Sequence, residues 1–437
     1  MKVLLLAAGR SKRMKPIEDK NFLNFIGKPL IQHQLELIKS AGLNDVVVVG
    51  GAHNLGKIQS LGKGLGMNIE ICEQEDLELG MSGAVMSAKE YISSAPVLIF
   101  SSNDVVEEKA FQLVLDAFKN ADSESYILGK KVESCFPGGY LETDNDGYIH
   151  NIVEKPEPGT EPSDLINLVV HLHSDPKKLI EYLEKAETSS DDIYEVALAN
   201  MMKDGVKMKA VSYDGFWQPV KFPWHVMKVF KFLFDKSPKS VADTAKISDN
   251  AIINGEVIIG ENVKVFDGAV INGPVYIGDN SVVATNALVR ESDVSEDCVI
   301  GFSTEVARSF LGNNVWTHSN YIGDSIIGNN VSFGAGAVTG NLRLDEKNVM
   351  VDYDGNKYDS QTNKFGAVIG DNVRIGVNTS IMPGIKIGSG SFVGAGIVVP
   401  KNIDDNSYVR GSWELKISEN KENIAGTNRE EFKKNLS

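Results

Sequence analysis

The sequence predicts an α/β domain with an open parallel sheet over residues 1–236, an all-β parallel β-helix over 237–412 and a short tail over 413–437. Three observations lead there. An apolar run at 3–8 (VLLLAA) ends in Gly9 and is followed by a helical pattern and a second apolar run at 45–51, which together spell a βαβ unit. From Ile247 an aliphatic residue returns at every sixth position, through Ile253, Ile259, Val265, Ile271, Ile277, Val283 and Val289. The intervening positions are rich in Gly, Asn and Asp, which suit the corners of a solenoid.

Taken in order, the first buried strand opens into a loop from Gly9 to Lys20. Leu30, Ile31, Leu35 and Ile38 then recur at helical spacing, with Pro29 at the start and Gly42 as the stop. After the strand at 45–51, a third at 97–101 leads directly to Asn103 and Asp104. In an open α/β sheet the ligand crevice lies beyond the carboxyl ends of such strands, which places the Gly9 loop and Asp104 together. From Tyr126 the pattern turns antiparallel, with a hairpin at 139–143 and 148–154 around Asp146 and Gly147, closed by Lys155 and Pro156. A strand at 168–172, a helix from Pro176 capped by Asp175, a helix at 192–202, a strand at 207–213 and a helix at 223–234 complete the domain. The ladder slips near Val294, breaks up after Val338 and resumes at Ile369, Ile375, Ile381, Ile387, Val393 and Val399. Three hexads make each triangular turn, and closed association into a homotrimer, or a dimer of trimers, suits such a prism. From about Trp413 the period is lost, as in a capping helix or loose tail.

At 437 residues, two or three domains are expected. A net charge of -15 argues against a nucleic-acid partner. Cys72, Cys135 and Cys298 lack CxxC spacing and read as buried, reduced thiols. The apolar start is short and is followed at once by Arg10, Lys12, Arg13 and Lys15, and no run reaches membrane length, so a cytoplasmic protein without a membrane partner is expected.

The loop LAAGRSKRM brings backbone amides near Gly9 together with Arg13 and Lys20. Amide donors, a guanidinium and an ammonium are what phosphate chemistry needs. On spacing alone the loop fits equally well as a solvated, cation-rich turn. His171 and His173 share one face of a strand, but without a third ligand nearby they read as hydrogen-bonded histidines rather than a metal pair.

Leu6 to Met14, followed by Lys20 and by Gly27-Lys28-Pro29-Leu30, resembles the signature of sugar-1-phosphate nucleotidylyltransferases. The resemblance implies a Rossmann-like domain that transfers a nucleotidyl group from a nucleoside triphosphate, UTP or dTTP, to a sugar 1-phosphate such as GlcNAc-1-P or Glc-1-P. It assigns Arg13, Lys20 and Asp104 to catalysis, with Asp104 binding Mg2+. Ala7, Ala8, Gly9, Gln74 and Gly80 fall to the nucleotide, and Gly139, Glu154 and Asn167 to the sugar phosphate. The chain departs from the pattern at Ser11, Lys12 and Asp19, where Gly, Thr and Pro are usual. It departs again where W-x-D-x-G-x-P-W would supply a second metal-binding acid: the stretch runs from Trp217 to Trp224 with Pro219 and Lys221 at the acid and glycine positions.

The stretch from Thr317 to Lys347 resembles the acetyltransferase half of bifunctional enzymes that make UDP-N-acetylglucosamine, especially archaeal-type versions with a left-handed β-helix. That resemblance makes His318 the base that deprotonates a sugar amine as it attacks acetyl-CoA. Tyr321, Asn341 and Lys347 would hold the sugar phosphate, and coenzyme A would lie near Ala395. A second lysine of such relatives is Met350 here. Three functions follow as expectations: a two-site enzyme, a single-activity nucleotidylyltransferase with a scaffold solenoid, and a regulatory subunit that binds nucleotide sugar without turnover.

Overall fold

A computed structural model describes residues 1–61, 64–133, 135–188, 192–412, 416–421 and 433–434. The tail expected over 413–437 lies mostly outside the described residues.

The first half is organised by a sheet in the order Ile149–Glu154, Gly139–Thr143, Leu165–His173, Val97–Ser101, Lys2–Leu6, Asp45–Gly50, Asn68–Glu73. Lys2–Leu6 lies parallel between Val97–Ser101 and Asp45–Gly50, so the chain reverses its winding direction at this strand. That makes its carboxyl end the crevice. Val3, Leu5, Val46 and Val48 face one side and Leu4, Val47 and Val49 the other, each side covered by helices, which is why these strands are apolar throughout. The helix Leu30–Ser40 buries Ile31, Leu35 and Ile38 on one stripe. Leu165–His173 joins antiparallel to Val97–Ser101 and carries the rest of the sheet. The strand Asn68–Glu73 and the helix Glu108–Lys119, neither among the elements expected from the sequence, complete the domain.

The second half is a left-handed parallel β-helix. Ile259, Ile277, Val294, Leu311, Ile327, Ile369 and Ile387 stack along one face, and the other two faces repeat the arrangement around a single aliphatic core. From Val294 successive coils run short of three full hexads, the deficit absorbed at the corners while the inward aliphatics stay in register. Nor does the ladder dissolve after Val338. Val338–Thr339 pairs directly with Ser380–Ile381, and the chain between leaves the coil at Leu342 and returns at Lys364, where the two bridge. The excursion folds into an antiparallel hairpin, Met350–Tyr353 with Asn356–Asp359.

One solenoid face does not meet solvent. Ile258, Tyr276, Phe310, Ile326 and Val368 pack against Phe25, Leu30, Val105, Val220, Phe230 and Phe234 of the α/β domain, and Val349, Val351 and Tyr353 of the hairpin join the same cluster. The two halves therefore share a core. Cys72 and Cys298 are buried thiols, whereas Cys135 is exposed: it sits in the loop between strands rather than on a core face. Among the described residues no helix is long and apolar enough to cross a membrane.

Candidate functional site

At the carboxyl end of Lys2–Leu6 the backbone turns through Ala7, Ala8 and Gly9. Ala7 gives its N–H to Val49 O (2.8 Å), and its carbonyl accepts from Asn21 Nδ2 (3.1 Å) and Asn54 Nδ2 (2.9 Å). Asp19 stands where a proline is usual and acts as a brace. Its Oδ1 accepts from Asn21 N–H (2.9 Å) and its Oδ2 from Asn54 Nδ2 (2.7 Å), which fixes the backbone beside Lys20. Ser11 Oγ accepts from Lys20 N–H (3.2 Å). Across the crevice Gln74 Nε2 donates to Asp76 O (2.9 Å) and Gly80 O (3.0 Å), so its amide has one orientation. Gly80 opens the helix Gly80–Ser87 at φ 53, a conformation that favours glycine.

Asp104 is buried at the start of Asp104–Val106. Its backbone carbonyl accepts from Gln34 Nε2 (3.0 Å) and its Oδ1 from Trp217 Nε1–H (3.1 Å). Burial raises its carboxyl above the ordinary range, against the pull of the Lys221 ammonium, the Trp217 hydrogen bond and the Lys20 ammonium. Burial likewise lowers Lys20 to about 8, while Asp104 acts to raise it. Lys20 and Lys221 thus converge electrostatically on one carboxylate, and the Arg13 guanidinium stands close enough to both ammoniums to lower them. Pro219 is the register partner of Asp104 and offers no side-chain oxygen. Among the described residues no three His, Cys, Asp or Glu side chains group closely enough to hold a metal ion. A Mg2+ here would find one protein carboxylate and draw its remaining ligands from substrate and water.

The antiparallel strands form the adjoining pocket. Gly139 pairs with Glu154 across the hairpin, and a Cβ at Gly139 would come within 2.9 Å of Glu154 Oε2, so glycine keeps the pocket open. Lys155, which closes the hairpin, takes φ 44 and places Nζ 2.9 Å from Glu154 Oε1. Asn167 ends a buried chain of hydrogen bonds. With Asn167 Oδ1 as acceptor, His171 Nε2–H donates to it (2.7 Å), and Tyr194 donates its hydroxyl hydrogen to His171 Nδ1 (2.9 Å). His173 Nε2–H donates to Tyr194 Oη (3.0 Å) and Ser125 Oγ–H to His173 Nδ1 (2.8 Å). One donor per contact leaves each tautomer determined. Burial lowers His171 to about 3 and His173 to about 4, so both are neutral. The histidines are hydrogen-bonded, and they reach the pocket through Asn167.

In the solenoid, Asn341 Nδ2 donates to Tyr321 Oη (3.0 Å) and to Asp324 Oδ2 (2.5 Å), and Arg308 clamps Asp324 with two hydrogen bonds (2.6 and 2.7 Å). Arg308 and Asp324 carried no sequence signal, because their pairing joins adjacent coils. A cavity of about 280 Å³ between this cluster and the helix Val226–Lys236 is lined by Lys228, Arg308, Asp324 and Lys364. His318 lies on an exposed corner, its backbone N–H donating to Asn320 Oδ1 (2.5 Å). Lys347 is exposed at the foot of the excursion, and Ala395 occupies the corner three coils beyond His318, roughly 14 Å along the axis. Among the described residues no hydrogen bond or ion pair joins the His318 or Lys347 side chain to the Tyr321–Asn341 pair.

The Nucleotidyl transferase family profile matches residues 2–220. Hexapeptide-repeat profiles match 256–291 (bacterial transferase hexapeptide) and 366–401 (hexapeptide repeat of succinyl-transferase). The chain is 34% identical over 94% of its length to the whole of a bifunctional sugar-1-phosphate nucleotidylyltransferase/acetyltransferase from Sulfurisphaera tokodaii. It is also 34% identical to the bifunctional protein GlmU of Methanocaldococcus jannaschii, over 95% of this chain and 98% of that one. The GlmU of Methanococcus maripaludis (strain C5) is equally similar over 96% of this chain and 99% of its own.

Proposed function

Because the chain belongs to the family of bifunctional sugar-1-phosphate nucleotidylyltransferase/acetyltransferases, we propose that it carries out both reactions. The observation that carries the first is the pairing of Lys20 with buried Asp104, with Arg13 beside Lys20, at the winding reversal of the sheet. A sugar 1-phosphate oxygen attacks the α-phosphorus of a nucleoside triphosphate, UTP or dTTP. The bond between the α-phosphorus and the bridging oxygen breaks, and pyrophosphate leaves. Arg13 and Lys20 stabilise the charge on the transferred phosphoryl group, and the Gly9 loop and Gln74 hold the nucleotide. Gly139, Glu154 and Asn167 receive the sugar, GlcNAc-1-P or Glc-1-P. Mg2+ carried on the triphosphate would neutralise part of its charge, and Asp104 is the one protein carboxylate here that could meet it.

For the solenoid the reaction is transfer of acetyl from acetyl-CoA to the amine of glucosamine 1-phosphate, with His318 as base, Tyr321, Asn341 and Lys347 around the sugar phosphate, and coenzyme A extending toward Ala395. Two solenoid faces leave Ile252, Phe302, Trp316, Phe392, Val398 and Tyr408 exposed. A homotrimer, alone or paired as a dimer of trimers, would cover them and complete the His318 corner between copies. A pyrophosphate assay across nucleoside triphosphates and sugar 1-phosphates tests the first reaction, and Arg13→Ala and Asp104→Ala should abolish release. Thiol release from acetyl-CoA tests the second; it should vanish in His318→Ala while pyrophosphate release persists. Met350 in place of a second lysine favours one alternative, a scaffold solenoid, and indifference of thiol release to His318→Ala would establish it.

A further inference from the structure

Lys221 belongs to the segment that ties the strand Trp217–Pro219 to the end of the parallel sheet. Val220 N–H donates to Asn103 O (2.8 Å), and the Pro219 carbonyl accepts from Lys221 N–H (3.0 Å) and from His225 Nδ1–H (2.6 Å), so the Lys221 backbone is held beside Asp104. Its side chain crosses toward the sugar pocket. Nζ lies 4.6 Å from the centroid of the Phe136 ring and donates to Pro137 O (3.3 Å), while Phe136 packs edge-on against Trp217 at 4.9 Å. The ammonium interacts electrostatically with Asp104 and Arg13 on the nucleotide side and with Glu154 and Lys155 on the sugar side. Among the site cations it spans both halves, where the two phosphates must meet.

That position matters because of what the opposite strand lacks. Joining a triphosphate to a phosphate monoester brings several negative charges within bonding distance. A divalent ion that neutralises them needs about six oxygen ligands in a tight shell. The protein offers Asp104, with one oxygen already accepting from Trp217, and beside it Pro219. An ammonium at the same place delivers charge with three rotatable donors and needs no second carboxylate.

We propose that Lys221 is a phosphate-contacting catalytic residue that supplies the charge a second, carboxylate-held metal contact would otherwise bring, so that the site binds nucleoside triphosphate without a protein-anchored divalent ion. The proposal rests on the nucleotidyl-transfer reading above. Its test is calorimetric binding of each nucleoside triphosphate to the full chain, in excess EDTA and again in millimolar Mg2+, beside the pyrophosphate assay. The expected result is wild-type affinity for the preferred triphosphate that changes no more than about threefold between the two buffers. Lys221→Gly should weaken binding in EDTA by about tenfold or more, as befits loss of a charge-assisted contact, and Lys221→Arg should restore most of it. The double variant Pro219→Asp, Lys221→Gly should bind Mn2+ in the presence of triphosphate, read by electron paramagnetic resonance, more tightly than wild type. Wild-type binding that disappears in EDTA overturns the proposal, as does a Lys221→Gly variant with unchanged affinity in both buffers. Metal-free, Lys221-dependent binding with no pyrophosphate from any substrate pair would instead reject the transfer reading and leave Lys221 as a phosphate contact.

Discussion

The Arg13 guanidinium carbon lies 5.2 Å from the centroid of the Phe222 ring. Phe222 stacks on Trp224 (4.4 Å, 8° between planes) and meets Tyr358 at 5.2 Å and Tyr353 at 6.2 Å, so the arginine of the first site rests on a ring braced by the solenoid hairpin. The excursion from the hexad thus buttresses the other domain. Phe222→Leu should lower kcat/KM for nucleoside triphosphate about fivefold, the equivalent of roughly 1 kcal/mol of cation–π stabilisation. Tyr358→Ala should lower the same parameter about twofold without touching thiol release. An unchanged Tyr358→Ala enzyme would show that the brace has no mechanical consequence.

Lys20 is held near 8 chiefly by burial. In the proposed transfer its ammonium is the form that would stabilise phosphoryl charge, and that form is lost as pH rises. The free enzyme's kcat/KM for triphosphate should therefore fall above pH 8. Lys20→Arg should carry the alkaline limb upward by more than a pH unit, because a guanidinium stays charged. A limb that does not move assigns the titration to another group.

The chain Ser125–His173–Tyr194–His171–Asn167 predicts that Tyr194→Phe acts at a distance. Losing the hydroxyl leaves His171 Nδ1 without its donor and frees the Asn167 amide to flip. KM for the sugar phosphate should rise about tenfold with kcat changed less than twofold, a cost of ~1.4 kcal/mol. Equal losses in both parameters would mean a general structural lesion instead.

Glu195 follows Tyr194 on the same helix and is raised to about 7 by burial and by the charge of Glu154. Below that pH it is neutral; above it, a second carboxylate stands near Glu154 and would repel the dianion of the proposed sugar 1-phosphate. KM for sugar 1-phosphate should climb between pH 6 and 8, and Glu195→Gln should flatten the climb. Because its folded value is raised, Glu195 also contributes stability at acid pH that is lost as pH rises through 7.

Asp293 lies on the solenoid face that packs against the α/β domain. Its Oδ2 accepts from Ile26 N–H (3.1 Å), its Oδ1 has no hydrogen-bond partner among the described residues, and burial pushes its carboxyl well above the ordinary range. The sign follows: the neutral form is favoured in the folded state, so its contribution is complete below pH 4 and lost progressively as pH rises through the folded value. Asp293→Asn should match wild type in urea unfolding at pH 4 and exceed it by roughly 1–3 kcal/mol at pH 8. Equal stability at both pH values would mean that Asp293 is ionised and solvated.

The sequence by itself determined the features that repeat or run along the chain. The sixfold return of aliphatics specifies a β-helix because each coil buries the same position, and the apolar runs at 3–8, 45–51 and 97–101 specify strands covered on both faces. Loop and strand end could be placed in one crevice from the βαβ order alone, with Arg13, Lys20 and Asp104 as its charged groups. Local pattern could not say where a side chain goes once elements far apart in sequence touch. Lys221 and Pro219 read as departures from a motif until the pairing of Trp217–Pro219 with Asp104–Val106 set them against Asp104. His171 and His173 acquire a role only because Tyr194, on a helix packed over their strand, can donate to one and accept from the other. The interruption of the ladder likewise became a brace only when its hairpin met Phe222. Periodicity records which residues must be buried, and the tertiary fold decides which buried and charged groups face one another.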